Sequence, residues 1–124
     1  MNLPLATGFG LLLCLSTAAV AQQSIVGTYN GNIEVTPNRP QRWGVTMVIS
    51  SVEGGNIKGT GSIQQGPCRG EYPIEGSVRS DSIGVVSKTK GGASGDCTFA
   101  FKGKIDGDRM AGNMGKYEVE FRKQ

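Results

Sequence analysis

From Ile25 onward, apolar and polar residues alternate along almost the whole chain, and nowhere do apolar residues recur at helical spacing. Successive side chains of a strand point to opposite faces, so a period of two means strands with one face in a core and one in water. Ile25, Gly27, Tyr29, Gly31, Ile33 and Val35 share one parity, as do Trp43, Val45, Met47 and Ile49, and then Ile57, Gly59, Gly61 and Ile63. The pattern continues through Cys68, Gly70, Tyr72, Ile74, Gly76 and Val78, through Ile83 and Val85, and through Cys97, Phe99, Phe101, Gly103 and Ile105. Met110, Gly112 and Met114 follow, then Tyr117, Val119 and Phe121. These eight stretches predict eight short antiparallel strands, each half buried.

Glycine composition supports this reading. The 124 residues include 20 glycines, about twice the usual share, without a period of three and with only five prolines. Collagen is excluded, and long helices are disfavoured because an interior glycine costs a helix about 1 kcal/mol relative to alanine.

The connections define a topology. Val52–Ile57, Val78–Ile83 and Ile105–Met110 each place two apolar residues around four turn-forming ones, which predicts tight hairpins. Longer connections lie between them: 36–42 with Pro37 and Pro40, 64–67, and the glycine-rich 88–96. Eight strands in sequential hairpins remove their exposed edges by closing into an up-and-down barrel. In such a meander the three tight hairpins share one end and the three long connections the other. The fold expected is therefore an all-β, eight-stranded antiparallel meander barrel. A β-sandwich is the alternative, since alternation does not separate closure from two packed sheets.

Residues 1–21 read as a secretory leader: the apolar run Phe9–Leu15 is followed by small residues ending in an A-x-A pattern, so cleavage is expected after Ala21. No Lys or Arg precedes the apolar run, and Cys14 follows Leu12-Leu13, which is not a lipoprotein box. Removing the leader leaves one domain, 22–124, secreted or periplasmic, with no membrane span of its own. It also leaves two cysteines, Cys68 and Cys97, in a compartment that permits oxidation, so a single disulfide is expected. Both cysteines open strands running in the same direction, with inward parity, which places them together at the long-loop end.

The segment Gly27-Thr28-Tyr29 at the start of the first strand resembles the G-x-W opening of lipocalins and the G-T-W opening of avidins, with Tyr29 in place of tryptophan. The likeness extends to the strand plan of residues 24–122. It implies a calycin-type barrel whose long loops surround a ligand entrance. Avidin-type biotin sites use several tryptophans and this chain has one, Trp43, so no biotin-site residue carries over. Small secreted inhibitors of proteases and lysozymes also resemble this plan, though none of their residue motifs is present.

The chain has no histidine, which removes the commonest general base, the Ser-His and Cys-His pairs and most zinc sites. Gly92–Asp96 lacks the last glycine of a nucleophile elbow, Gly59-Thr60-Gly61 is not a dinucleotide fingerprint, and Asp106-Gly107-Asp108 lacks the later ligands of a calcium loop. No enzyme activity, cofactor or metal is expected. A net charge of +3 is too small and too evenly spread for a nucleic-acid partner.

Tyr29, Trp43 and Tyr72 have inward parity and either line a ligand pocket or fill the barrel, whose eight-strand interior is just wide enough for side chains. Arg39, Arg42, Arg69, Lys88, Lys90 and Lys116 fall near the long-loop end, opposed on the sequence by Glu71 and Asp96 alone. They form either a cationic mouth for an anionic group or a solvated rim. The expected ligand-binding set is Tyr29, Trp43, Tyr72, Arg39, Arg42 and Lys90, in an exported binding protein holding a small apolar or amphipathic ligand. The alternative is a protein-binding module, such as an inhibitor of a secreted protease or lysozyme, acting through the long loops.

Overall fold

A computed structural model of the chain describes residues 25–35 and 41–124. The expected leader with Cys14, and residues 36–40 with Arg39, lie outside the described residues. The strands are β1 (Gly27–Glu34), β2 (Arg42–Glu53), β3 (Asn56–Ile63), β4 (Gly70–Arg79), β5 (Ser82–Ser87), β6 (Ala100–Asp106), β7 (Arg109–Met114) and β8 (Tyr117–Lys123). Each pairs antiparallel with the next, and β1 returns to β8, so the sheet closes into a barrel in meander order and not into a sandwich. The closing ladder is the shortest, Tyr29↔Lys123 and Asn30↔Arg122, extended by the Gln124 N–H donating to the Thr28 carbonyl.

The parities expected from the sequence hold. Tyr29, Met47, Phe99, Phe101, Met110 and Phe121 are fully buried, and Val45, Ile49, Ile57, Tyr72 and Ile74 nearly so. The glycine excess is explained by how tightly so small a barrel must coil. A Cβ at Gly59, Gly76 or Gly112 would run into the backbone carbonyl of Val48, Gly84 or Lys102 on the neighbouring strand. Glycine there lets the backbones close to the distance that the curvature demands.

Where the alternation breaks in β2, the ladder breaks with it: the β2–β3 register shifts between Ile49 and Ser51. The extra residue of this bulge reverses the parity and lets Val52 pack against the core beside Ile49. The hairpins expected at Gly54-Gly55, Ser80-Asp81 and Gly107-Asp108 are present at one end of the barrel. A fourth two-residue turn, Gly115-Lys116, joins β7 to β8 at the other end. The two cysteines do not open β4 and β6 but stand just ahead of them, because Cys97 is held by a bridge to Gly91 within the preceding loop.

Candidate functional site at the long-loop end

Two connections fold over the end of the barrel opposite the three hairpins: 64–69 between β3 and β4, and 88–99 between β5 and β6. They are joined by the Cys68–Cys97 disulfide, with Cα atoms 5.5 Å apart. Backbone bonds add to the covalent link. The Gly91 N–H donates to the Cys97 carbonyl at 2.8 Å, the Cys97 N–H to the Gly91 carbonyl at 2.9 Å, and the Ala93 N–H to the Pro67 carbonyl at 2.8 Å.

Beneath these loops lie Trp43 and Tyr72. Trp43, at the start of β2, is half buried, with its indole flat against Gly66; a Cβ on Gly66 would come within 2.5 Å of a ring carbon. The Tyr72 ring passes under Gly91 and stands 6.4 Å, centroid to centroid, from Phe99, which in turn covers Gly61. The Tyr72 hydroxyl donates to the Cys68 carbonyl, and burial pushes its pKa up.

Tyr29 does not belong to this group. β1 starts at the hairpin end, so Tyr29 lies at the opposite end of the barrel, where its hydroxyl donates to the Ile25 carbonyl at 2.8 Å. Burial, helped by the nearby Asp108 carboxylate of the β6–β7 hairpin, pushes its pKa up to about 12. Of the three aromatic residues singled out in the sequence, the fold thus places Trp43 and Tyr72 at the long-loop end and Tyr29 at the other. Both tyrosine hydroxyls are already committed to the protein's own backbone.

The cations divide as well. Register places Glu34 directly across from Arg42, and the two pair at 3.5 Å. Lys88 pairs with Glu75 at 4.0 Å, and the Lys116 ammonium sits 5.3 Å above the Tyr117 ring. The sequence count of two opposing acids is therefore too low, because β1 carries Glu34 to the rim and Lys88 reaches Glu75 midway along β4. These exposed pairs contribute little energy, about 0–1 kcal/mol each, but they compensate charge. Arg69 and Lys90 are exposed and have no ion-pair partner among the described residues. They mark the cationic part of the surface.

No water-sized space adjoins the largest inward side chains, since Tyr29, Met47, Phe99, Phe101, Met110 and Phe121 have no exposed area on any side. The open grooves lie on the outer wall. Sequence reasoning missed a polar chain beside the loops: the Gln64 side-chain amide donates to Thr46 Oγ1 at 3.1 Å, Thr46 Oγ1 to Asn30 Oδ1 at 2.9 Å, and the Gly44 N–H to Gln65 Oε1 at 2.7 Å. These contacts tie the β3–β4 loop to the outer wall. Only the outward parity of Asn30 and Thr46 hinted at them.

A closed eight-stranded meander barrel with one end sealed by disulfide-linked loops is consistent with the calycin-like class that the opening of β1 resembles. Comparison with protein-family models, with curated proteins and with solved structures finds no match for the chain.

Proposed function

We propose that this is an exported, non-enzymatic protein-binding module that engages its partner through the loops 64–69 and 88–96. The single observation that carries this reading is the packed interior. A barrel whose lumen is filled among the described residues by Tyr29, Met47, Phe99, Phe101, Met110 and Phe121, none with any exposed area, leaves little room for a small ligand, whereas its linked loops offer an exposed surface held by a disulfide. Rigidity matters because ordering mobile loops on association costs affinity. Arg69 and Lys90, without an ion-pair partner among the described residues, supply positive charge at the same end, which favours a partner with an acidic surface. Export fits the leader-like residues 1–21 and the disulfide, which suits an oxidising compartment. The absence of histidine and of any nucleophile–base pair in the sequence supports a binding role over catalysis.

Purified protein titrated against a panel of secreted proteases and a lysozyme should inhibit one of them, and the Arg69→Glu/Lys90→Glu variant should lose that inhibition while unfolding at the same midpoint. Native mass spectrometry should give the mass of the polypeptide alone. A retained lipid-like adduct would restore the luminal-ligand reading and overturn this one.

A further inference from the structure

The outer wall carries a charge pattern that neither strand parity nor the loop end explains. Register aligns Lys102 on β6 with Asn113 on β7, and Asn113 with Glu118 on β8. One step along, Lys104 aligns with Ala111, and Ala111 with Glu120. Each row thus reads cation, small neutral residue, anion across three adjacent strands, and all six side chains are exposed. The next row, Asp106–Arg109–Arg122, reverses the signs but keeps its outer members opposite.

Grooves flank β7 on both sides and share Ala111, Gly112 and Asn113 as their common wall. Every charged residue lining the β5–β6 side is a cation: Arg79, Lys102 and Lys104. On the β8–β1 side, Glu34, Glu118 and Glu120 stand against Lys116 alone. Lys104 and Glu120 have ion-pair partners on their own chain, Asp81 for the first and Arg109 and Arg122 for the second. Lys102 and Glu118 have none among the described residues, and Asn113 keeps them apart.

We propose that this face is an interface with a second copy of the chain, related by a two-fold axis running along β7. Half a turn about that line carries β6 of one copy over β8 of the other. Lys102 then meets the partner copy's Glu118 and Lys104 meets its Glu120, each contact occurring twice by symmetry. Such an isologous interface requires a self-complementary patch, and a patch of opposite sign on either side of its own centre is one. Ala111 and Asn113 at the centre are small enough for two sheets to approach face to face. Arg109, on the axis near the hairpin end, is screened by Asp106 at 3.3 Å and Glu120 at 3.2 Å. The face of β6–β8 spans roughly 15 Å by 20 Å, so the contact is small and the dimer weak and salt-sensitive.

Sedimentation equilibrium over a concentration series tests this. Wild type should dimerise reversibly, and the dimer should weaken as salt is raised. Lys102→Glu and Glu118→Lys should each weaken it about tenfold or more, because each single change reverses two symmetric contacts. The swapped variant carrying both substitutions should dimerise as wild type does, which also controls for folding. Wild type that stays monomeric at ~1 mM would overturn the proposal. So would a dimer indifferent to both reversals, or a swapped variant as weak as the single ones.

Discussion

The two ends of the barrel are braced by the same local device, supported in different ways. At the hairpin end, Ile25-Val26-Gly27-Thr28-Tyr29 leads into β1; at the long-loop end, Cys68-Arg69-Gly70-Glu71-Tyr72 leads into β4. In each, a buried tyrosine reaches back four residues and donates its hydroxyl to a backbone carbonyl. In each, the glycine two residues before the tyrosine has a positive φ, 153° at Gly27 and 152° at Gly70, a conformation that side-chain-bearing residues rarely adopt. The carbonyl clamped at the long-loop end belongs to a disulfide cysteine, whereas the one at the hairpin end belongs to Ile25, which is buried and has no covalent crosslink among the described residues. Noncovalent packing suffices where tight hairpins leave little chain to order. Two long loops need a crosslink.

The largest effects should come from deleting the rings. Tyr29→Ala and Tyr72→Ala each remove a fully buried aromatic and should cost about 3–5 kcal/mol in chemical denaturation. If the braces are equivalent plugs, the two losses will agree within about 1 kcal/mol; a negligible loss at either site would show that its end of the barrel is not closed by that ring.

Next comes the crosslink. Replacing both cysteines by alanine should cost about 3–4 kcal/mol, from a 29-residue loop set free in the unfolded chain. The comparison is sharpened by where the loosening occurs. Emission from Trp43, the only tryptophan, should shift to the red on reduction, since Gly66 covers the indole from the disulfide-linked loop. Amide exchange at 88–99 should speed up while that around Tyr29 does not. Equal loosening at both ends would dissolve the distinction between them.

Alkaline pH probes the hairpin end more strongly. Tyr29 has a folded-state pKa of about 12 against the ordinary 10.0, so the folded state holds its proton more tightly than the unfolded chain. Its stabilisation is complete below pH 10 and is lost as pH rises toward 12, a change of about 2–3 kcal/mol. Tyr72 shifts in the same direction. Denaturation midpoints at about pH 9 and 11.5 should therefore differ less in Tyr29→Phe than in wild type. An unchanged difference would show that the Tyr29 hydroxyl is not buried.

Strand number and order were legible, because both follow from side-chain parity and loop length, which are local properties. Closure was not separable from a sandwich until β1 is seen to pair with β8, and the disulfide followed from the cysteine count and the expected compartment. The β2 bulge was half legible: Ser50-Ser51-Val52 interrupts the alternation, but only the β3 register shows which side gains the residue. The site was less legible. Parity gave Tyr29, Trp43 and Tyr72 the same inward face, and the meander's strand direction already separates Tyr29 from the other two. What neither gave is the four-residue reach of each tyrosine hydroxyl, which goes with a glycine of positive φ two residues earlier. Arg42 read as a mouth cation because its partner, Glu34, is distant along the chain and adjacent only through register. The charge rows of β6–β8 were hidden likewise, since Lys102 and Glu118 become neighbours only across Asn113.

The smallest effects test the comparison most closely. Tyr29→Phe and Tyr72→Phe keep the rings and remove one hydrogen bond each, worth about 0.5–1.5 kcal/mol. With the disulfide intact, Cys68 is already held by its link to Cys97, so the Tyr72 hydroxyl adds little and its loss should fall at the lower end of that range. Ile25 has no such link, and the Tyr29 hydroxyl should fall at the upper end. In the background with both cysteines replaced by alanine, the carbonyl of residue 68 depends on Tyr72, so the cost of Tyr72→Phe should rise while that of Tyr29→Phe stays the same. A double-mutant cycle should give a coupling of at least about 0.5 kcal/mol between Tyr72 and the disulfide, and one near zero between Tyr29 and the disulfide. Equal couplings would mean that the braces act through overall stability and not through the ends they close; zero coupling at both would mean that the crosslink and the tyrosine clamp hold Cys68 independently.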